Sequence, residues 1–401
     1  MDAAIQSERP APAGETVAVS VLAVETGAGF AQLREEWRAL LQESGASVFN
    51  SWEWLYPWYR RIGSARRLCL LTARTADGKL VGLLPLAREE RKPFGHLVRR
   101  LAFLGESHVG SDYLDVLAVP ALRRRVTEEF AHALRNGQDS WDVLDLLDLC
   151  EDSPTLGFLH HAFDGYEQQT TTRYVCPYEP LAVGEPFDDF LKRTARRDIF
   201  LRRKRWLEKQ EGFAIERTER PEKLAAPMAE FFRLHRLRWA SEGGSQGIKG
   251  PSVEAFHRDA TELLAEGGET ALYTLRVGRQ AVASVYALIH GGKFYYFQSG
   301  YDPAWRSRSV GLVLIGETFR DALARGLTEY DFLRGTETYK SEWVSRTRET
   351  RALRIHPRGG AGAWLTRDEV WSKTVRDGLK AVLPGELTER IRRFRRRLAA
   401  I

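Results

Sequence analysis

The residues best suited to chemistry lie together near the end of the chain, in EYDFLRGTETYKSEW (329–343). A carboxylate can take a proton from an attacking amine or hydroxyl, and a phenol can return a proton to a leaving group. We therefore expect Glu337 to be the general base and Tyr339 the proton donor. The expected substrate contacts in this stretch are Asp331, Arg334, Lys340 and Trp343. Because the charges alternate in sign, an ion-pair network that only fixes the loop remains the alternative.

A second group of candidates lies further back, in LHRLRW (234–239). His235 is a second candidate base, since an imidazole with an ordinary pKa of about 6.5 exchanges protons near neutrality. Arg238 and Trp239 follow it as substrate contacts. A structural histidine and a packing role for Trp239 and Trp343 are the competing interpretations.

A candidate phosphate loop lies upstream, in FYYFQSGYDPAWRSRSVG (294–311). We expect a strand that ends near Gly300, a turn through Pro303 and a helix that opens at the end of this stretch. Amide hydrogens at a helix N-terminus, with nearby arginines, bind a diphosphate well. The expected contacts to it are Arg306, Ser307, Arg308, Ser309, Val310 and Gly311. Main-chain amides of Gln298, Ser299 and Gly300 are expected to polarise a carbonyl group.

Alternating and helical patterns place these residues in a mixed α/β protein. The second half predicts three strands over 271–302, a helix over 311–325 and a strand over 329–335. The first half predicts a similar order, with a strand at 16–23, a helix at 30–44, a hairpin at 67–90, strands near 97–104 and 113–119, a helix at 120–135 and a strand at 141–149. This recurrence indicates an internal duplication, with chance similarity as the alternative.

Four other segments complete the organisation. Trp52, Trp54 and Trp58 form an aromatic cluster, either a wedge under the sheet or a ligand wall. A basic amphipathic helix is predicted over 186–212, as a solvated face or a platform for RNA phosphates or an anionic acceptor. Helices are predicted near 221–242 and 252–266. The segment 387–401 predicts a basic amphipathic helix, which lies on an anionic membrane or docks on its own protein.

Composition narrows the class of protein. The chain has 401 residues, 43% hydrophobic and 28% charged, which indicates folded domains and excludes general disorder. The net charge of +6 is too small to indicate a dedicated nucleic-acid binder. Three widely spaced cysteines give neither a disulfide framework nor a metal site, and we expect no metal. Without a signal peptide or a membrane span, the expected location is the cytoplasm, with peripheral contact to the inner membrane through the C-terminal helix.

The motifs YDPAW, DFLRGTETYKSEW and LHRLRW resemble those of GNAT-superfamily acetyltransferases, specifically the CelD/BcsL type of cellulose or exopolysaccharide biosynthesis, which is related to the Fem-type aminoacyltransferases. The resemblance covers roughly residues 45–355. It implies tandem GNAT-like domains and acetyl-CoA or another acyl-CoA as co-substrate. Arg306 and Gly311 match the family's phosphate loop, whereas Ser309 and Val310 depart from its glycine-rich form.

The resemblance also implies a domain order and a reaction. We expect a disordered start (1–15), a degenerate first GNAT-like domain (16–185), an acyl-CoA-binding domain (186–358) and a basic tail (359–401). The implied function is acyl transfer by direct attack to an amine or hydroxyl of a cell-envelope or exopolysaccharide precursor, with a small-molecule or saccharide acceptor. Transfer from aminoacyl-tRNA in the Fem manner and a non-catalytic role in polysaccharide biosynthesis are the alternatives.

Overall fold

The structure is a computed structural model that describes residues 18–106, 109–137, 140–240 and 247–382, with side chains as far as residue 372. The predicted start (1–15) and the predicted basic helix at 387–401 lie outside these described residues. Within the described ranges, no helix combines the length and the apolar character needed to cross a membrane.

Thirteen strands of the described part of the chain form one mixed sheet. They are β1 (Val19–Val24), β2 (Arg67–Thr75), β3 (Leu80–Arg91), β4 (Val98–Phe103), β5 (Leu117–Ala118), β6 (Val143–Cys150), β7 (Glu167–Pro180), β8 (Ala214–Thr218), β9 (Thr270–Val277), β10 (Gln280–His290), β11 (Lys293–Tyr301), β12 (Glu329–Asp331) and β13 (Arg346–His356). The order across the sheet is β1-β2-β3-β4-β6-β13-β7-β12-β11-β10-β9-β8, and β5 pairs with β3.

The α-helices pack on both faces of this sheet. They are α1 (Gly27–Gln32), α2 (Arg34–Ser44), α3 (Trp52–Trp58), α4 (Arg123–Asn136), α5 (Pro154–Ala162), α6 (Phe187–Lys192), α7 (Arg197–Leu207), α8 (Ala225–Ala240), α9 (Pro251–Glu266), α10 (Val310–Ala324), α11 (Thr338–Ser341) and α12 (Gly362–Val382). The expected mixed α/β class is confirmed.

From one edge the strands follow as β1-β2-β3-β4-β6-β13, and from the other edge as β8-β9-β10-β11-β12-β7. The two series have the same topology, so the sheet consists of two similar halves. Each half ends in a parallel pair, β4 with β6 in the first and β11 with β12 in the second. The last strand of each half then crosses to the other one: β7 pairs with β12, and β13 pairs with β6. These two exchanged strands also pair with each other, along the full length of β13. The sheet therefore joins the halves continuously.

The aromatic cluster supports the centre of the molecule from one face. Trp54 and Trp58 are fully buried, which favours the wedge interpretation over a ligand wall. The indole of Trp54 donates to Ser111 Oγ at 2.8 Å, so its one polar atom is satisfied inside the core. Its ring also packs 5.4 Å from that of Phe297 on β11. The first half thus holds a strand of the second half in place.

Three predicted elements are shorter than expected. The predicted strand at 329–335 is limited to β12, because Leu333 adopts a left-handed conformation (φ 56°) that turns the chain out of the sheet. The predicted helix over 186–212 is divided into α6 and α7, and the predicted strand at 113–119 is reduced to the two residues of β5.

Candidate active site

The parallel strands β11 and β12 separate after three residue pairs, Lys293–Tyr295 with Glu329–Asp331. The strand β11 then continues to Tyr301 without a ladder partner on that side. At the separation point β11 bulges, because Tyr286 on β10 faces Gln298 whereas the next residue, Ala287, faces Tyr296. A bulge bends a strand and re-aims its side chains, and such bulges often lie beside active sites.

A cavity of about 560 Å³ fills the space between the diverging strands and lies between the two halves. We call it the inter-half cavity. The second half supplies Arg238, Trp239, Tyr296, Phe297, Gln298, Ser299, Phe332, Leu333, Arg334, Gly335, Glu337, Tyr339 and Lys340 to its wall. The first half supplies Gly110, Asp112, Asp148, Arg173 and Tyr174. Many of the predicted site residues are therefore brought together, and an opposite wall is added that the sequence did not predict.

Two of the added residues occupy further irregularities of the sheet. The pairing of β13 with β7 shifts at Thr350/Arg351, which leaves Arg173 as the extra residue on β7. The pairing of β13 with β6 shifts between Arg351 and Leu353, next to Asp148, whose φ is 66°. Arg173 Nε donates to Asp148 Oδ1 at 2.9 Å. Burial raises the pKa of Asp148, while Arg334 and Arg173 oppose that rise.

Arg334 joins the two halves across the cavity. Its guanidinium contacts Asp112 of the first half at 2.7 Å, donates to the Ser111 carbonyl and lies 3.4 Å from Asp148 Oδ2. Its carbon Cζ also stands 4.3 Å from the ring centre of Tyr174. Burial alone would lower the pKa of Arg334, but Asp112 and Asp148 raise it. Because these partners already occupy the guanidinium, the structure favours a structural role for Arg334 in the cavity wall over the predicted contact with substrate.

Glu337 lies at the edge of the cavity, with 44% of its side chain exposed. Its Oε2 is 3.0 Å from Lys340 Nζ, and that ammonium also donates to the Arg334 carbonyl at 2.7 Å. Gly335 makes this arrangement possible, since its φ is 115° and a Cβ there would lie 2.4 Å from Glu337 Oε2. The predicted base is thus held by one buried cation while it stays open to solvent and to an acceptor.

Tyr339 is placed to donate a proton into the cavity. Arg238, which can only donate hydrogen bonds, lies beside its hydroxyl, so this neighbour does not take up the phenolic proton. Burial raises the pKa of Tyr339, which keeps it protonated at neutral pH. Arg238 also donates to Ser299 Oγ at 2.5 Å. Trp239 lines the same wall, and its buried Nε1 has no hydrogen-bond partner among the described residues.

His235 lies behind the cavity wall. It is 1% exposed, and burial lowers its pKa to about 4, so it is neutral at pH 7. Its Nε2 is buried without a hydrogen-bond partner among the described residues, and Gln298, a cavity residue, lies beside the ring. Gly300 lies directly against α8, the helix that carries His235, because a Cβ on Gly300 would come within 2.3 Å of the His235 amide nitrogen. The structure thus gives His235 and Gly300 no surface in the cavity, while Gln298 and Ser299 have one.

Two other predicted substrate contacts lie in the protein interior. Asp331 is fully buried and accepts hydrogen bonds from the Tyr113 hydroxyl (2.9 Å) and the Leu333 amide (2.7 Å). Burial raises its pKa to about 6. Trp343 is 3% exposed and stacks on Phe319 at 5.3 Å. Neither residue lines the inter-half cavity.

The predicted phosphate loop lies at the start of α10, apart from the residues that line the cavity. Arg306, Ser307 and Arg308 are exposed in a 3-10 turn, and Ser309 adopts φ 56° without a side-chain cap. The first-turn amides of a helix lack intrahelical partners, so an uncapped start leaves them available to an anion. Val310 is buried, whereas a Cβ placed on Gly311 would meet only ordinary van der Waals contact, with the nearest atom at 3.9 Å. These observations fit a coenzyme A diphosphate.

Comparison with known proteins identifies the domain. Residues 194–341 match the family model of the acetyltransferase (GNAT) domain. The fold is similar to that of FemX, with 10% identity, coverage of 83% of this chain and 96% of that chain, and a TM-score of 0.59. It is also similar to the C-terminal domain of a putative lysylphosphatidylglycerol synthetase from Agrobacterium fabrum (10% identity, 84% and 94% coverage, TM-score 0.53). A search of curated protein sequences finds no match.

The solved structures are too distant in sequence to indicate more than the fold. The CelD/BcsL type remains a prediction. The matched domain, the repeated strand order and the separated parallel strands all indicate a GNAT-type fold. The chain carries a GNAT acetyltransferase domain at 194–341, which indicates a transferase, and its two halves repeat one strand order.

Proposed function

We propose that the protein transfers an acyl group from acyl-CoA to an amine or hydroxyl of a cell-envelope or exopolysaccharide precursor, by direct attack in the inter-half cavity. The observation that carries this proposal is the cavity at the separation of β11 and β12, with Glu337, Tyr339 and Arg238 on one wall and the first half on the other. In this proposal the domain of residues 186–358 holds the co-substrate, and the protein works in the cytoplasm.

The side chains are suited to the proton transfers of this reaction. When bound, acyl-CoA supplies the activated acyl group. Glu337 takes the proton that the acceptor loses, and Tyr339 provides the proton that the departing thiolate gains, so the proton count is balanced. Of the consecutive main-chain amides at Gln298 and Ser299, the one that points away from β10 faces the developing negative charge on the carbonyl oxygen. In this proposal His235 is a positioning residue that packs behind Gln298.

Coenzyme A in this proposal is held at the start of α10, by the amides after Ser309 and by Arg306 and Arg308. Titration calorimetry with acetyl-CoA tests this placement in the wild type and in Gly311→Glu. The variant has room for its side chain, and a carboxylate near a diphosphate costs about 3 kcal/mol, so we expect the affinity to fall about a hundredfold. Gly157→Glu is the matched control, since Gly157 lies in α5 with open space around it. Equal affinity in wild type and Gly311→Glu would contradict this site.

Aminoacyl transfer from charged tRNA is the second candidate, and the basic helix α7 favours it. Arg196 is paired with Glu342 and Arg197 with Asp198, whereas Arg202 is exposed and no ion pair joins it to another described residue. Calorimetry with tRNA distinguishes the two functions. Tight binding that weakens steeply with salt, and whose salt slope falls on replacement of Arg202 and Arg203, would support the tRNA reaction. Binding of neither acetyl-CoA nor tRNA would leave a non-catalytic role.

A further inference from the structure

Four of the large hydrophobic side chains that the fold leaves exposed lie in two neighbouring segments. Phe94 and Leu97 (50% and 48% exposed) belong to the connection between β3 and β4, and Val370 and Trp371 (61% and 59%) belong to α12. The rings of Phe94 and Trp371 are 5.9 Å apart. We call these four residues the α12 patch. Contiguous exposed apolar surface of this kind marks an interaction site more often than scattered single residues do.

The backbone at Phe94 holds its ring in this exposed position. Its φ is 50°, in the left-handed region that large side chains rarely adopt. Such a conformation is strained for a residue with a side chain, and glycine or asparagine would relieve it. The fold therefore presents an aromatic ring to solvent where a small or polar residue would be more stable.

Positive charge surrounds the α12 patch. Arg91 and Lys92 are exposed shortly before Phe94, with Arg91 also paired to Glu89 at 2.9 Å, and Arg367 is exposed on α12, with its Cζ 5.0 Å from the ring centre of Trp364. The chain continues beyond α12 for residues 383–401, which contain six arginines and two glutamates. Of the acidic groups on this turn of α12, Glu369 is neutralised by Arg354 at 2.7 Å, and Asp368 and Glu369 line a groove that Phe94 also lines.

That groove, of about 670 Å³, leads from the α12 patch toward the inter-half cavity. Phe94 and Leu365 line it at the patch, and Gln169, Thr171 and Arg173 of β7 line it along the sheet. Arg173 also belongs to the wall of the inter-half cavity. A polar groove therefore begins at the exposed apolar surface and ends beside the proposed site of transfer.

We propose that the α12 patch docks on an anionic phospholipid bilayer, with Phe94, Leu97, Val370 and Trp371 inserted at the interface and the surrounding basic residues on the lipid headgroups. Exposed aromatic and aliphatic side chains beside Lys and Arg are the combination that binds such surfaces. The docking places the open end of the groove at the membrane. On the basis of the proposed function, it makes the acceptor a membrane-anchored molecule with a polar end that reaches into the groove.

Co-sedimentation of the full chain with vesicles tests the docking without any substrate. We expect binding to vesicles of phosphatidylcholine with phosphatidylglycerol, no binding to phosphatidylcholine alone, and weaker binding at high salt. The double variant Phe94→Ser/Trp371→Ser should lose about tenfold or more in partitioning, since it removes two half-exposed aromatic side chains from the interface. Leu22→Ser/Val183→Ser is the matched control, because both residues are exposed elsewhere (59% and 73%), and it should bind like the wild type.

Three outcomes would overturn the proposal. One is unchanged vesicle binding by Phe94→Ser/Trp371→Ser when its thermal unfolding midpoint is that of the wild type. Another is absence of binding by the full chain together with binding after deletion of residues 383–401, which would mean that this segment covers the patch. The third is a dimer that the double variant dissociates, which would make a second copy the occupant. Acetyl-CoA titration of the same proteins tests the proposed function separately.

Discussion

The contact between Arg334 and Asp112 supports a quantitative prediction about how the two halves are held together. Arg334→Gln would remove the ion pair at 2.7 Å and leave Asp112, which is fully buried, without its cation. Asp148, 2% exposed, would lose a neighbouring charge as well. Removing one partner of a buried ion pair costs about 3–5 kcal/mol, because the other charge stays in the interior unpaired. We expect a loss of that size in the free energy of unfolding.

Urea unfolding at pH 7, followed by tryptophan fluorescence, measures this loss. The double variant Asp112→Asn/Arg334→Gln should be more stable than the sum of the single variants predicts, by about 2 kcal/mol, since it leaves no unpaired charge on Asp112. Arg61→Gln is the matched control: the pair of Arg61 with Asp259 also joins the two halves, but it is 44% and 30% exposed. Such a pair contributes about 1 kcal/mol or less. Equal losses for Arg334→Gln and Arg61→Gln would refute the reasoning.

Four further predictions concern single groups. Glu337→Gln should lower the rate of transfer by about 10²–10⁴ at unchanged acetyl-CoA affinity, with Glu342→Gln as a control outside the cavity. Burial raises the pKa of Asp331 to about 6, so stability falls as pH rises from about 4 through 6. Asp331→Asn should remove about 3 kcal/mol of that fall, as measured by unfolding at each pH. Burial lowers the pKa of His257 to about 3, so its contribution is complete above pH 6.5 and is lost as the solution is acidified. His257→Phe should therefore unfold at a lower pH than the wild type. Gly300→Ala should cost about 1–3 kcal/mol in thermal or urea unfolding because its Cβ would meet the main chain of α8; no loss would contradict that contact.

Most of the fold can be predicted from periodicity, but three strands cannot. The hairpins β2–β3 and β9–β10 and the helices α4 and α8–α10 lie close to their predicted positions. The strands β7, β8 and β13 were missed, because EQQTTTRYVCPYEP and RTRETRALRIH are polar on most positions and lack the apolar alternation of a half-buried strand. The strands β7 and β13 are stabilised by pairing with each other and with the opposite half, and β8 by pairing with β9 at the edge of the sheet, and all of these contacts are long-range.

The candidate site shows the same limit. Glu337, Tyr339 and Lys340 line one cavity, and their closeness is predictable because they follow a strand within a few residues. The opposite wall was not predicted, because Asp148 and Arg173 line the cavity at register shifts of the sheet. No local sequence pattern predicts such shifts. Asp331 and Trp343 were expected in the cavity. The turn at Leu333 sends the chain out of the sheet after Asp331, and Trp343 is drawn into the aromatic core.

The exchange of β7 and β13 restricts how the enzyme can open and close around its substrates. Two-lobed enzymes commonly rotate one lobe about a flexible connector. Here such a rotation would have to break the antiparallel ladder between β7 and β13 and the pairing of each with the opposite half. The lobes are therefore fixed as a single body. Any movement that admits an acceptor has to come from side chains and short connections at the rim, such as the turn through Gly335 and α11.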